Sequence, residues 1–274
     1  MFKYFPPERI DVLQNNLICF NNPRQFNDPF EFHSLYDLDG FMQNLQERIQ
    51  SLNIIENLNL EQRLLLESLT PEHKKLVLES TKLFLNSKFN ANRNNIVSIT
   101  SESLTKFNEE FIRITRVLCF TEKPNNLLMW AHYASSHTGF VIEFDQKNDF
   151  FHKGRSLKDE YGHLRKVDYL DEIPKLDPIS HDIAKHYLVK SKEWEYEQEW
   201  RIFAMEKDAT TKIDNTYDLY PLPPESIKRV ILGCQVTHQF EESMYNTLMS
   251  NKKYSHVIIK KAKKSKLTFA VEVD

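Results

Sequence analysis

Short apolar runs separated by polar turns characterise the first thirty residues. Phe2–Phe5 and Leu17–Phe20 have the length of strands, and Glu8–Asn15 between them follows two prolines and has apolar residues at helical spacing. Proline suits the first turn of a helix because its fixed φ is already helical. The pattern predicts a strand, a helix and a second strand, followed by a turn-rich loop that contains residues 26–31.

Residues 37–110 have apolar side chains at three- and four-residue spacing among many Asn, Lys and Glu residues. This period predicts helices, and Thr70 followed by Pro71 is typical of a helix start. The polar stretch Asn86–Asn95 predicts a loop. We therefore expect a single domain, residues 1–274, that carries residues 37–110 as a helical insertion or lid.

The pattern of strands returns after residue 110. Predicted strands cover residues 112–120, 139–145, 164–170, 199–204, 217–222, 229–232, 257–261 and 268–273. Predicted helices cover residues 125–134, 181–192 and 239–250. Strands interrupted by unevenly spaced helices favour an α+β fold over a regular array of parallel units. The expected architecture is a mostly antiparallel or mixed central sheet with flanking helices.

Charge and hydropathy exclude several classes of protein. The net charge is −3 and 41% of the residues are hydrophobic, so no global charge attracts the chain to nucleic acid or to an anionic membrane. No apolar run reaches the roughly 18–20 residues of a membrane span, and the first residues lack the apolar core of a signal peptide. We expect a cytoplasmic protein without a membrane partner, and nucleic acid is disfavoured as a partner.

Glycine, cysteine and histidine positions exclude the commonest cofactor motifs. The five glycines are dispersed, so no Rossmann fingerprint or P-loop is present. The three cysteines are far apart and form no CxxC pair, which predicts buried thiols in a reducing compartment. The ten histidines contain no HExxH motif. We therefore predict no metal site.

The densest polar motif spans Trp194–Arg201. In a strand that begins near Glu197, the side chains of Glu197, Glu199 and Arg201 share one face. A carboxylate beside a guanidinium stays ionised and oriented. We predict Glu199 and Arg201 as catalytic residues and Glu197 as a substrate-binding residue. The alternative is a structural ladder of ion pairs that stabilises the sheet.

Two further segments supply candidate substrate-binding residues. On a predicted helix, His132 and Tyr133 share a face and offer hydrogen bonds, while Trp130 offers a stacking surface. The alternative is an aromatic helix that only packs on the sheet. In the loop at residues 26–31, Asn27 or Asp28 would contact a ligand, although turns use the same residue types.

Together these segments resemble the bacterial domain-of-unknown-function family 2971. The resemblance rests on motifs in a fixed order, spread over most of the chain outside residues 37–110: Phe2-Lys3-Tyr4, Phe26–Glu31, Cys119–Glu122, Leu128–Ala134, Gly139-Phe140, Val167–Tyr169 and Trp194–Ile202. The family name implies no particular reaction.

The order of elements also resembles, more distantly, the ADP-ribosyltransferase fold. In that fold a first strand carries an NAD-binding residue, a later strand and helix carry an aromatic or small polar residue, and a late strand supplies a catalytic glutamate. The resemblance places Lys3 or Tyr4 in the first role, His132 and Tyr133 in the second, and Glu199 in the third. The first motif lacks the His or Arg common in transferases, and no serine-threonine-serine motif is present.

This second resemblance implies an enzyme that takes NAD or another nucleotide as its substrate, without a metal, as an effector or toxin in stress or phage defence. Glu199 would stabilise an electron-poor sugar carbon, and Arg201 would orient Glu199 or contact phosphate. A second hypothesis is a non-catalytic sensor or interaction module whose helical insertion binds a protein partner. A third, a nucleic-acid-binding effector, is disfavoured because no basic-aromatic pattern runs through the chain.

Overall fold

The structure is a computed structural model, and it describes residues 1–33, 35–153, 161–179, 187–214 and 216–273. The chain separates into two compact units. The first contains Met1–His33, Glu110–Ile173 and Asp182–Asp274, and the second contains Ser34–Glu109 and Pro174–His181. The segment predicted as an insertion, residues 37–110, falls almost wholly within the second unit, and its role as a lid stays a prediction.

Sixteen strands are present in the described residues: β1 Phe2–Phe5, β2 Leu17–Phe20, β3 Leu35–Tyr36, β4 Thr115–Thr121, β5 Phe140–Phe144, β6 Arg165–Lys166, β7 Asp168–Leu170, β8 Lys175–Leu176, β9 Val189–Ser191, β10 Glu199–Met205, β11 Thr211–Ile213, β12 Tyr217–Pro221, β13 Ile227–Leu232, β14 Ile258–Lys261, β15 Lys263–Lys264 and β16 Val271–Glu272. The α-helices of this part of the chain are α1 Asp11–Asn15, α2 Leu38–Ser51, α3 Leu60–Glu67, α4 Pro71–Ile114, α5 Leu127–Tyr133 and α6 His238–Met249.

A seven-stranded sheet organises the first unit, in the order β14–β13–β5–β1–β4–β10–β6. The pair β13–β14 is parallel, and the other neighbours in this sheet are antiparallel. Strand β2 belongs to a smaller antiparallel sheet with β12 and β11. The predicted α+β fold with a mixed central sheet is therefore confirmed.

Both faces of the central sheet are buried. Successive side chains of a strand point to opposite faces, and the two sets pack in two separate apolar clusters. One face packs against α1 and α6 in an apolar cluster that includes Leu13, Phe140, Ile142, Phe144, Met244 and Leu248. On the opposite face, Val141 packs with Tyr4 and with Trp130 of α5. The face that carries α5 is the one on which the candidate site lies.

Strands β1 and β4 meet at a single residue pair, Phe2 with Thr121. Farther along, β4 pairs with Asn21 instead, since the backbone groups of Asn21 and Val117 exchange two hydrogen bonds of 2.9 Å. The amino group of Lys3 donates a 3.0 Å hydrogen bond to the carbonyl oxygen of Cys119. This side chain thereby satisfies a carbonyl that lacks a β1 partner where the two strands diverge.

The turn from α5 into β5 brings two backbone segments into close contact. A Cβ atom added to Gly139 would lie 2.1 Å from the carbonyl oxygen of Phe5, so this position requires glycine. The preceding residues Ser135, Ser136 and His137 all have positive φ, between 44° and 69°. The turn fixes the direction in which α5 leaves the sheet.

The second unit is helical, with one short parallel pair of strands, β3 and β8, among its described residues. Helix α4 is continuous over 44 residues, so the loop predicted at Asn86–Asn95 is wrong. The helix persists because Phe89, within that stretch, is buried. Asparagine disfavours a helix by only about 0.5–0.7 kcal/mol per residue, which the packing of an apolar side chain outweighs.

Four other predicted boundaries change. Strand β4 starts at Thr115 rather than at residue 112, because α4 continues through Ile114. The strand predicted at 164–170 is divided into β6 and β7, and that predicted at 268–273 is reduced to β16. Of the helix predicted at 181–192, residues 181–186 lie outside the described part, and Val189–Ser191 is a strand because it pairs in parallel with β7.

No helix in the described residues is long and apolar enough to cross a membrane.

Candidate functional site

A cavity of about 380 Å³ lies where β1 and β4 diverge, on the face of the sheet that carries α5. Its volume is within the range of small-molecule sites. Residues from β1, the 21–31 loop, β4, α5, β9, the 3₁₀ helix Lys192–Glu197 and the start of β10 line it: Phe2, Lys3, Tyr4, Asn21, Gln25, Phe26, Asn27, Glu31, Cys119, Phe120, Thr121, Met129, His132, Tyr133, Lys190, Glu197 and Glu199. Six of the nine residues proposed from the sequence line this cavity.

Two of the three glutamates in the Trp194–Arg201 motif, Glu197 and Glu199, line the cavity from different elements. Lys192–Glu197 is a 3₁₀ helix rather than the start of a strand, and Gln198 follows it with a φ of 45°. Strand β10 begins only at Glu199, whose backbone N–H donates to the hydroxyl oxygen of Tyr169 at 2.8 Å. The assumed strand start near Glu197 is therefore wrong, yet the left-handed turn at Gln198 still brings both carboxylates together.

Lys190 on β9 lies at the centre of the cluster. Its amino nitrogen is 2.7 Å from Glu197 Oε2, 3.3 Å from Glu199 Oε2 and 2.9 Å from Glu31 Oε1. All four side chains are at most 5% exposed. One buried ammonium group thus joins three carboxylates from two separate parts of the chain.

Arg201 lies beneath this cluster and is fully buried. Its Nε and Nη2 atoms donate to the two oxygens of Glu199 at 2.7 and 2.9 Å, and Nη2 also pairs with Glu31. Its Nη1 donates to the carbonyl oxygen of Tyr187 at 3.0 Å. The rings of Phe26 and Phe32 each lie 5.5 Å from the guanidinium carbon.

Arg201 is absent from the described lining of the cavity. Two roles were predicted for Arg201, orienting Glu199 or contacting phosphate. The geometry favours the first, because its donors are already used by Glu199, Glu31 and a backbone carbonyl. Arg201 is a positioning residue: it holds the Glu199 carboxylate in one orientation.

The charges around Glu199 keep it ionised. Burial raises its pKa, but the charges of Arg201 and Lys190 and the Arg201 hydrogen bonds outweigh burial and lower the pKa to about 2. The pKa of Glu31 is raised, first by burial and also by the neighbouring Glu199, against the opposing effect of Arg201. The carboxylates raise the pKa of Lys190 and of Arg201 despite burial, so both cations keep their charge.

Tyr133 connects the acidic cluster to the 21–31 loop. Its hydroxyl donates to Glu197 Oε1 at 2.6 Å and accepts a hydrogen bond from the Asn27 amide at 3.1 Å. His132, next to it on α5, is exposed and lines the cavity. Tyr4 lines the cavity from β1, and its hydroxyl donates to the carbonyl oxygen of Lys123 at 2.9 Å.

Two predicted substrate-binding residues lie elsewhere. Trp130 is fully buried, contacts Tyr4 edge to face at 5.2 Å and donates its Nε1–H to the carbonyl oxygen of Pro124, so it has no free face for stacking. Asp28 is buried, and its Oδ1 accepts a hydrogen bond from the backbone of Phe30. Neither belongs to the described cavity lining. Both side chains make contacts that stabilise the local fold, and their predicted role in substrate binding stays a prediction.

Sequence reasoning missed Glu31 and Lys190 as site residues. Glu31 ends the loop motif that was recognised, but nothing in its spacing connects it to Arg201. Lys190 lay within the helix predicted at residues 181–192, where a single lysine is expected to be exposed to solvent. Tertiary contacts, rather than local pattern, bring Glu31 and Lys190 into the cluster. Lys3, which lines the cavity, was named as an alternative to Tyr4.

Within the part of the chain that the structure describes, no group of three or more His, Cys, Asp or Glu side chains is arranged to hold a metal ion. The carboxylates of the cluster are instead compensated by Lys190 and Arg201. The arrangement offers ionised carboxylates, aromatic rings and amides to a ligand.

The comparisons with known proteins bear on part of this site. The model of the family described as "Protein of unknown function (DUF2971)" matches residues 129–202. This range contains α5, Lys190, Glu197, Glu199 and Arg201, and it supports the predicted resemblance to that family over these residues. No curated protein and no solved structure matches the chain.

Proposed function

We propose that the cavity binds the ribosyl part of an NAD-type nucleotide. The protein would then transfer the ADP-ribosyl group of this nucleotide to an acceptor, in the manner of an ADP-ribosyltransferase. The position of Glu199 carries this proposal. Its carboxylate, with a pKa of about 2, forms part of the wall of the cavity. An ionised carboxylate in a partly dehydrated wall stabilises positive charge that develops on an anomeric carbon.

The charge of the cluster supports the same assignment. Glu31, Glu197 and Glu199, when all are ionised, carry one more charge than Lys190 and Arg201 compensate. In a site of low dielectric, such an excess favours a cationic group over a neutral one. An oxidised nicotinamide ring and an oxocarbenium-like ribosyl centre are both cationic.

The rest of the wall suits a nucleoside. Phe2, Tyr4 and Phe26 supply aromatic surface, and the side chains of Gln25 and Asn27 supply amides. Aromatic rings pack against a planar base, and amides form hydrogen bonds with hydroxyl groups. The volume of about 380 Å³ accommodates a nucleoside-sized portion of the ligand, with the remainder extending beyond the rim.

In the proposed reaction, the bond between the ribose C1 atom and the nicotinamide nitrogen breaks, and its electron pair leaves with nicotinamide. An acceptor oxygen or water then bonds to C1, and its proton passes to solvent. Glu199 and Glu197 stabilise the charge on C1, while Arg201 and Lys190 hold these carboxylates in place. Tyr133 positions Glu197 through its 2.6 Å hydrogen bond.

A non-catalytic sensor of the same ligand is the second candidate. It is favoured by the number of hydrogen bonds that the carboxylates already make: Arg201 contacts both oxygens of Glu199, and Glu197 accepts from Tyr133 and Lys190. A sensor would bind NAD in the cavity and leave its glycosidic bond intact.

Ligand-observed NMR of the purified protein with NAD distinguishes these candidates, because it reports binding and nicotinamide release in one sample. Wild type is expected to bind NAD and release nicotinamide. Glu199→Gln and Glu197→Gln are expected to reduce release at least 100-fold. Glu122→Gln, at an exposed glutamate that pairs with Lys166 outside the cavity, is the matched control. Binding without release selects the sensor, and the absence of binding contradicts both candidates.

Expression in bacteria tests the proposed effector role. The wild-type chain is expected to lower the cellular NAD level or to ADP-ribosylate macromolecules, and thereby to slow growth or limit phage propagation. Glu199→Gln at equal abundance is expected to do neither. Equal NAD levels and equal growth with the two chains would contradict this role.

A further inference from the structure

A small hairpin presents two apolar side chains to solvent. Strands β15 and β16 pair antiparallel, with Lys264 opposite Val271. In the loop between them, Leu267 is 94% exposed and Phe269 is 101% exposed. These are the two highest exposures among the large hydrophobic residues of the described chain. Val271 on the strand is buried, so the hairpin base is anchored and only its tip is apolar and exposed.

Lysines are frequent in this hairpin and in the strand that precedes it. Five exposed lysines lie on β14, β15 and the loop: Lys260, Lys261, Lys263, Lys264 and Lys266. Two acidic side chains accompany them, since Lys261 pairs with Glu241 at 2.6 Å and Lys263 lies opposite Glu272. The hairpin and its neighbouring strand therefore keep a net positive charge, although the whole chain carries −3.

We propose that this hairpin attaches the protein to an anionic lipid surface, with Leu267 and Phe269 inserted at the boundary between headgroups and acyl chains. Exposed apolar side chains beside several lysines are the composition that binds such surfaces. The contact is peripheral. It departs from the expectation of a protein without a membrane partner, which rested on net charge and on the lack of a long apolar run.

The same composition suits other macromolecules less well. Lysine is depleted in protein–protein interfaces, whereas aromatic side chains and arginine are enriched there. Single-stranded nucleic acid is bound by several aromatic side chains along a basic groove. Here Phe269 is the single aromatic side chain between Lys263 and Glu272, and Leu267 offers no stacking surface.

Vesicle co-sedimentation tests the proposal with the full chain. Vesicles of phosphatidylcholine mixed with phosphatidylserine are expected to bind the protein, and vesicles of phosphatidylcholine alone are expected to bind it far less. Each lysine near an anionic surface contributes about fivefold to the partition coefficient. Lys264→Gln with Lys266→Gln is therefore expected to weaken binding about 25-fold, and added salt is expected to have the same direction of effect.

A second double variant tests the contribution of the apolar tip to vesicle binding. Leu267→Ser with Phe269→Ser is expected to weaken binding at least about tenfold, because both side chains lose their burial in lipid. Met249→Ser, at an apolar residue of α6 that is 72% exposed, is the matched apolar control. Lys147→Gln with Lys207→Gln, at two exposed lysines elsewhere in the first unit, is the matched charge control.

Three results would overturn the proposal. One is equal sedimentation with the two kinds of vesicle. Another is binding that the lysine variant weakens and the serine variant leaves unchanged, which indicates adsorption by charge alone. The third is tighter retention by a single-stranded oligonucleotide than by phosphatidylserine vesicles, with the serine variant unaffected. Circular dichroism of each variant establishes that it is folded, and NAD binding in the cavity is measured separately.

Discussion

Arg201 and Glu199 lie two residues apart on β10 and form a buried two-point ion pair, with nitrogen–oxygen distances of 2.7 and 2.9 Å. Residues at this spacing in a strand share a face, so the strand itself aligns the guanidinium with the carboxylate. The two residues differ in their position relative to the cavity. Glu199 forms part of its wall, whereas Arg201 is absent from its described lining. Glu199 is therefore the member of the pair that can contact a molecule in the cavity, whereas stability depends on both members.

Replacing Glu199 by Gln is expected to destabilise the protein. The change keeps the shape of the side chain but leaves the buried Arg201 cation with Glu31 as its remaining carboxylate partner. Removing one partner of a buried ion pair costs about 3–5 kcal/mol. Urea denaturation, monitored by tryptophan fluorescence, measures the loss in free energy of unfolding. The matched change Glu122→Gln at the surface is expected to alter it little, and an equal effect of the two would contradict the buried pairing.

Acid stability follows from the lowered pKa of Glu199. The pKa of Glu199 falls from an ordinary 4.5 to about 2 on folding. Its contribution to the free energy of unfolding is therefore complete above pH 4.5 and is lost as the pH falls from 4.5 towards 2. The shift corresponds to about 3 kcal/mol. The raised pKa of Glu31 acts with the opposite sign, since its contribution is complete below its ordinary value and declines as the pH rises.

We therefore expect wild type to lose more stability than Glu199→Gln between neutral pH and pH 3. Urea denaturation at a series of pH values gives the free energy of unfolding of each protein as a function of pH, and the slopes for wild type and Glu199→Gln are then compared. Glu31→Gln is expected to change the acid dependence in the opposite direction. Parallel curves for wild type and Glu199→Gln would show that Glu199 is not ionised by its neighbours.

Arg201→Lys preserves the charge but removes the planar group. A lysine cannot contact both oxygens of Glu199 and the Tyr187 carbonyl at once, and it lacks the planar group that lies beside the rings of Phe26 and Phe32. We expect a loss of about 2–4 kcal/mol in the free energy of unfolding. Arg113→Lys, at an exposed arginine, is the matched control. Recovery of full stability with lysine would mean that charge alone is required at position 201.

Tyr133→Phe removes one hydroxyl that joins Glu197 to Asn27. Loss of a hydrogen bond to a charged group costs about 1.5–3 kcal/mol, so moderate destabilisation is expected together with weaker NAD binding. Tyr217→Phe, at a tyrosine that is 48% exposed, is the control. Isothermal titration measures the affinity, and unchanged NAD binding by a folded Tyr133→Phe protein would remove Tyr133 from the site.

Local pattern was sufficient for most of the elements around the cavity. The strand at Phe2–Phe5, the helix that ends at Tyr133 and the strand at Phe140–Phe144 are each marked by apolar residues within a short window. Pattern failed at Asn86–Asn95, where the buried side chain of Phe89 maintains a helix through polar residues. The intrinsic helix propensity of a residue is a small free energy, and the packing of an apolar side chain such as Phe89 outweighs it.

The sequence by itself determined that Glu199 and Arg201 are neighbours on one face, because the period of a strand is local. It also indicated that α5 and the loop at residues 26–31 carry polar groups suited to a ligand, namely His132, Tyr133, Asn27 and Asp28. Only the tertiary structure decided that Arg201 lies beneath the cavity, that Trp130 belongs to the core and that Glu31 and Lys190 complete the cluster. Those relations join residues as far apart as 31 and 201, and such contacts depend on strand order rather than on spacing along the chain.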